Sequence, residues 1–349
     1  MLYAVLPVLY QDLGLAAIEV GILLSANRWI RLLTNELAHW AATRVSARTL
    51  FAGALVLGAL TTAVYASTTS FSILLMARIS WGLAWSFIRH VGVGTVMANT
   101  DDAQAGRTMG WYNGISRAGS VAGLFGGALL VDWLGFHAGV LVLAVLSGLA
   151  VPLSFKAVGD TIHSKEGRRS AAPPFLLALG VSLGAVGPGF VMATVGAAIA
   201  SLLDDSMRTP AATLTGALLA ARYLMDSALA PLLGSSFDRY GFARAARIYF
   251  AIGGLALGLA CLAADVWWFA VAIIVFFTCG TALQTGVAAT ASRLGSGAYA
   301  RYVTASDLGS ASGPLLGWGV VAVTSDPFHS IAIGGVVFAL TTLVVRQPR

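Results

Sequence analysis

The sequence predicts an all-α polytopic membrane protein with about eleven complete spanning helices in two similar halves and a further, incomplete first helix. Three observations carry this. The 349 residues are 58% hydrophobic and only 10% charged, with a mean hydropathy of +0.82, whereas a soluble domain needs about a quarter of its residues charged to cover its surface. Apolar runs of about 20 residues, each able to cross ~30 Å of hydrocarbon as a helix, recur along the whole chain. The chain also repeats itself at long range.

The runs lie near 18–40, 50–68, 71–98, 110–131, 138–156, 174–200, 211–234, 243–264, 266–290, 301–324 and 328–345. Barrel strands would alternate apolar and polar residues over about 10 positions, and stretches such as 51–66 do not. Before the first run stands MLYAVLPVLY; ten residues rise ~15 Å as a helix, too little to span. It reads as the last turns of a helix whose start is expected upstream of Met1, an eleven-span variant being the alternative. A cleaved signal peptide is not expected, because no charged n-region or cleavage site accompanies the apolar stretch.

Short loops rich in Lys and Arg stay cytoplasmic. One set of alternate loops holds Arg44, Arg48, Arg107, Lys156, Lys165, Arg168, Arg169, Arg239, Arg244, Arg247, Arg293 and Arg301. The opposite set holds Arg208 beside Asp12, Asp132, Asp204, Asp205, Asp265 and Asp326. This places the C-terminus, with Arg346 and Arg349, in the cytoplasm, and the expected location is a cell membrane, crossed many times, of the bacterial inner-membrane kind. The pI of 9.6 therefore belongs to membrane topology, and nucleic acid is not an expected partner. Cys261 and Cys279 sit inside apolar runs and read as buried thiols.

The longest polar stretch, 156–172, has the composition of a cytoplasmic linker between halves 1–155 and 173–349. The halves correspond. Gly21-Ile-Leu-Leu-Ser-Ala matches Gly216-Ala-Leu-Leu-Ala-Ala at a spacing of 195, and Arg44 matches Arg239 at the same spacing. Ser116, Gly119, Ser120, Gly123 and Gly127 match Ser306, Gly309, Ser310, Gly313 and Gly317 at a spacing of 190. Duplication of a six-helix block explains both.

At these residues the chain resembles the major facilitator superfamily, in its drug/proton antiporter-like branch. Gly234-Ser-Ser-Phe-Asp238-Arg239-Tyr-Gly241 is similar to that family's loop motif G-x-x-x-D-R-x-G, of which His39-Trp-Ala-Ala-Thr43-Arg44-Val-Ser46 keeps the Arg and lacks the Gly and Asp. Arg78-Ile-Ser-Trp-Gly82 resembles its R-x-x-x-G motif. Gly119-x3-Gly123-x2-Gly126-Gly127 resembles its antiporter motif with Leu124 in place of proline, whereas Gly309-x3-Gly313-Pro314-x2-Gly317 carries the proline. The end of the family's first helix is similar to Met1–Tyr10 with Pro7-Val8. The resemblance implies two six-helix halves around a central cavity that rocks between inward and outward openings.

Glycines spaced four apart leave a smooth helix face on which another backbone can lie closely, as static packing or as a moving seam. Pro314 is expected to bend or loosen its helix.

Charges inside the runs bear most on mechanism, because each is costly in lipid unless paired or facing a wet cavity. They are Arg28, Arg31, Glu36, Arg78, Arg89, Arg117, Arg222, Asp226 and Asp307. The repeat maps Arg31 onto Asp226 and Arg117 onto Asp307, swapping sign at both places. In the fold that the resemblance implies, this predicts ion pairs Arg31 with Asp307 and Arg117 with Asp226; the alternative is that Asp226 pairs with Arg222, one turn away, or that these groups face water. Protonation of either acid would couple proton entry to opening. Arg89 and His90 border the cavity in the implied fold, with Trp85, Trp111, Phe190 and Gln284 as lining candidates.

The expected function is proton-coupled efflux of small organic compounds by alternating access, from a monomer with no cofactor, no metal site and no enzymatic activity. The arginine surplus keeps open organic-anion transport, by symport or exchange. A receptor or scaffold role would need a large soluble domain. The histidines at 39, 90, 137, 163 and 329 show no metal-ligand spacing.

Overall fold

The computed structural model describes residues 1–100, 104–157, 172–203 and 210–347. The linker stretch 158–171 with Lys165, Arg168 and Arg169, and the loop residues Asp204, Asp205 and Arg208, lie outside the described residues. Among the described residues all regular structure is helical. Eight helices are long and apolar enough to cross a membrane, or nine when one bent pair counts as a single span. Helices α2 (Ala17–Ala42) and α15 (Ser296–Thr324) are long enough but carry Arg28, Arg31, Arg301 and Asp307. All eleven expected runs thus fall on helices, the last being α16 (Pro327–Val344).

Contacts group the chain into two compact units. The first comprises Met1–Ser25, Val121–Leu129 and Gly167–Arg349, and the second Ala26–Ser120 and Leu130–Glu166.

In the second unit, α3 (Ala47–Ser67) packs on α4 (Phe71–Ala98) and on α7 (Phe136–Leu149), which continues after Ala150 as α8 (Val151–Ala157). Gly139 lets α7 fold back closely on the preceding helix, since a Cβ there would lie 2.8 Å from the Leu130 carbonyl oxygen. His137 Nδ1 lies 2.8 Å from the Ala66 carbonyl oxygen and ties the two helix ends together.

In the first unit, α9 (Pro174–Gly184) runs through a π-helical turn, Ala185–Val191, into α10 (Met192–Leu202). This turn contains Gly187-Pro188-Gly189, and π turns arise where the regular ladder is interrupted. Along it lies α15, at backbone distance. A Cβ on Gly309 would lie 2.2 Å from the Val181 carbonyl oxygen, and one on Gly313 would lie 2.5 Å from Gly189 Cα. Trp318 on α15 is fully buried and donates from Nε1 to the Ala193 carbonyl at 2.8 Å; Tyr10, just past α1 (Leu2–Leu9), meets its ring edge-on at 5.1 Å. Helix α13 (Phe242–Ala260) is sandwiched by α14 (Val266–Arg293) and α16, where Phe338 contacts Phe250 and Phe276 at 5.0 and 5.1 Å. A second π-helical turn, Ala122–Gly126, joins α5 (Ala105–Val121) to α6 (Gly127–Leu134).

Helix α15 continues through Pro314, with Gly309 and Gly313 seated on α9 and its π turn beside the missing hydrogen bond. A bend of 58° separates α11 (Ala211–Ala228) from α12 (Ala230–Tyr240). Pro231 has no N–H to donate to the carbonyl four residues back, so the ladder parts there.

Candidate functional site

Helix α11 packs on α14 and α10 in the first unit, and carries two charged side chains one turn apart. Arg222 is 9% exposed and Asp226 8% exposed. A guanidinium and a carboxylate so deep in apolar helices require local partners, because leaving either without one costs several kcal/mol. Asp226 Oδ1 accepts a hydrogen bond from the Thr281 hydroxyl on α14. Arg222 does not turn to Asp226, as the one-turn spacing allowed. Its Nη1 donates to the thioether sulfur of Met192 on α10, and the guanidinium carbon lies 5.9 Å from the Phe277 ring centroid and 5.8 Å from that of Tyr223. Thr278 donates to the Met225 sulfur at 3.4 Å, a further contact between α14 and α11. Close approach of α11 to the π turn at Ala122–Gly126 is possible because Gly216 has no side chain; a Cβ there would lie 2.5 Å from the Leu124 carbonyl oxygen.

In the second unit the R-x-x-x-G residues have one joint task. Arg78, 6% exposed, donates from Nη2 to Asn27 Oδ1 on α2 at 2.9 Å. One turn on, a Cβ on Gly82 would lie 2.8 Å from the Asn27 carbonyl oxygen. One turn further, the Ser86 and Thr34 hydroxyls are 2.8 Å apart. Positions 78, 82 and 86 therefore form one face of α4 that grips α2. Arg89 is exposed, and His90 meets His39 of α2 edge-on at 5.7 Å. Arg28, Arg31 and Arg117 are half-buried.

The loop motif of the second half surrounds the turn between α12 and α13. Gly241 takes φ +79°, a conformation open to glycine, and ends α12. Asp238 accepts from Arg293 of α14 at 3.1 Å, with both side chains largely exposed. Arg239 lies over Tyr240 at 5.4 Å, and Arg44, its match in the other half, over Trp40 at 4.0 Å. A cavity of about 550 Å³ adjoins the motif, lined among others by Gly234, Asp238, Gly241, Thr285 and Arg293.

The two copies of the glycine motif differ in their surroundings. Gly309, Gly313 and Gly317 each press on neighbouring backbone or side chains, whereas among the described residues nothing lies within 4 Å of a Cβ built on Gly119 or Gly123. Gly127 is buried.

The sequence profile of the Major Facilitator Superfamily matches residues 1–183, more than half of the chain. The chain belongs to the Major Facilitator Superfamily. It is similar to the MFS-type transporter ppzB of Metarhizium rileyi, 31% identical over 121 residues, which are 35% of this chain and 25% of that protein. It is also similar to the synaptic vesicular amine transporter of Rattus norvegicus, 30% identical over 138 residues, 39% of this chain and 27% of that protein. The chain thus spans about a quarter of the length of the curated relatives it matches. Over 99% of its own length it superposes on 92% of the crystal structure of the nucleoside transporter NupG, with a TM-score of 0.77 at 13% identity, a likeness of fold.

As a facilitator-superfamily member with several helices long and apolar enough to span, the chain is a multi-pass membrane protein. In this superfamily chain the sequence picked out Arg222, Asp226 and Arg78 but not their partners Met192, Thr281 and Asn27. A small polar residue or a methionine in an apolar helix carries no signal of its own, and only the packing of α10, α14 and α2 reveals the role.

Proposed function

We propose that the chain moves small organic compounds outward across a bacterial inner membrane by alternating access, in exchange for protons. In this reading the halves 1–155 and 173–349, joined by the linker 156–172, rock about a central path in a monomer whose C-terminus is cytoplasmic. The observation that carries it is Asp226, a carboxylate buried within a spanning helix and held by the Thr281 hydroxyl. A change of charge at a carboxylate so placed alters what surrounds it. Arg28, Arg31, Arg89, Arg117, Arg222 and Asp307 are the further pathway residues. The charge-swapped repeat positions, Arg31 with Asp307 and Arg117 with Asp226, are proposed to pair and part within the cycle, on the support of the sequence repeat alone. The glycines at 119, 123, 127, 309, 313 and 317 with Pro314, and the residues Arg44, Arg78, Gly82, Gly234, Asp238, Arg239 and Gly241, are assigned to conformational change.

The test is proton movement in proteoliposomes carrying a pH-sensitive dye. Substrate addition should collapse an imposed pH gradient with the wild type, and Asp226→Asn should abolish that response while substrate still exchanges across the membrane without a gradient. An unchanged proton flux in the variant would reject the role of Asp226.

A second reading, transport of organic anions, is favoured by Arg222, whose buried guanidinium has, among the described residues, only a thioether as hydrogen-bond acceptor.

A further inference from the structure

Arg222 is nine-tenths buried, yet its surroundings among the described residues supply little for a cation. A guanidinium offers five N–H donors in a planar fork. Here one of its two terminal nitrogens reaches the Met192 sulfur, a weak acceptor. The Phe277 and Tyr223 rings lie within 6 Å of the guanidinium carbon, an arrangement that holds the charge by its attraction to ring faces and leaves donors unspent. Asp226, four residues on, does not occupy the fork; it is engaged by Thr281. Arg222 stands ~17 Å along α11 from its first residue, and Phe277 ~17 Å along α14, at 1.5 Å per residue, so both sit near the middle of their spans. Around the fork lie two rings and a thioether: Phe277, Tyr223 and Met192.

We propose that Arg222 is the anchor of a binding site for a small aromatic carboxylate. The carboxylate would meet the free edge of the fork with two parallel N–H···O bonds, the strong geometry for this pair of groups. The aromatic body would lie against the ring and thioether wall, where sulfur and ring contacts are favourable. Charge selects the class: a cation of the same shape meets a guanidinium of like sign, and a neutral alcohol forgoes the ion pair and offers one oxygen where the fork takes two. The inference rests on the organic-anion reading above and names its substrate class.

The test is equilibrium binding to the purified wild-type protein in detergent, with no gradient, read by tryptophan fluorescence or calorimetry. The probes are benzoate, 2-naphthoate and 4-phenylbutyrate, each beside the primary alcohol and the primary amine on the same carbon frame. At least one carboxylate should bind about tenfold or more tightly than both of its partners, and Arg222→Met should remove that preference. Arg222→Lys, which keeps the charge and loses the fork, should restore part of it. Equal binding within all three sets by the wild type overturns the proposal without any variant, as does a folded Arg222→Met protein that keeps the preference. These outcomes are distinct from failure of the transport reading, which would appear as the absence of any solute-driven flux in proteoliposomes, whatever binds in detergent.

Discussion

Gly309 and Gly119 occupy the same place in the sequence repeat and meet opposite surroundings, so their alanine variants form a matched pair. A Cβ on Gly309 would lie 2.2 Å from the Val181 carbonyl oxygen and 2.8 Å from the Ala185 nitrogen. Both are backbone atoms and cannot rotate away; restoring ordinary contact of about 3.5 Å moves α15 off α9 by roughly 1 Å. That shift also disturbs Gly313 against Gly189 on the next turn. Overpacking of this kind costs about 1–3 kcal/mol. Among the described residues nothing lies within 4 Å of a Cβ on Gly119, and alanine in mid-helix gains about 0.5–1 kcal/mol over glycine. Gly309 lies in mid-helix too and shares that gain, so Gly309→Ala should be less stable than Gly119→Ala by the overpacking cost, about 1–3 kcal/mol. Unfolding of the purified variants, followed by tryptophan fluorescence during heating and during titration with SDS, measures the difference. Coincident midpoints, or the reverse order, would refute the reasoning.

Two further variants probe the motifs. Asn27→Ala takes from the buried Arg78 guanidinium an acceptor at 2.9 Å, and should cost about 1–3 kcal/mol in the same unfolding assay; Asn27→Asp, which keeps an acceptor of the same reach, should be the milder change. Asp238→Ala removes an ion pair whose side chains are 66% and 75% exposed, so its effect on stability should stay within ~1 kcal/mol. Its transport rate should fall all the same if the loop motif serves conformational change, and a large loss of stability with normal transport would contradict that division.

The helices were legible because hydrocarbon demands long apolar runs, and each such run is a helix here. The site was legible in part. Charges in apolar helices are conspicuous, so Arg78, Arg222 and Asp226 stood out. Their partners did not, because Asn27 lies 51 residues from Arg78 and Thr281 lies 55 from Asp226, and nothing local ties them. The two prolines show the limit of local rules. Pro231 parts α11 from α12, while Pro314 sits inside an unbroken α15, because the fate of a lost hydrogen bond depends on what packs beside it. The π turns at Ala122–Gly126 and Ala185–Val191 likewise depend on neighbours; Gly187-Pro188-Gly189 was the one local hint.

The grip of α4 on α2 has a consequence for a membrane protein whose two faces meet water of different acidity. Arg78 closes on the amide oxygen of Asn27, and Ser86 on the hydroxyl of Thr34. Neither an amide nor a hydroxyl ionises between strongly acid and alkaline water. These two contacts are therefore deaf to acidity, unlike the His39–His90 contact further along the same pair of helices.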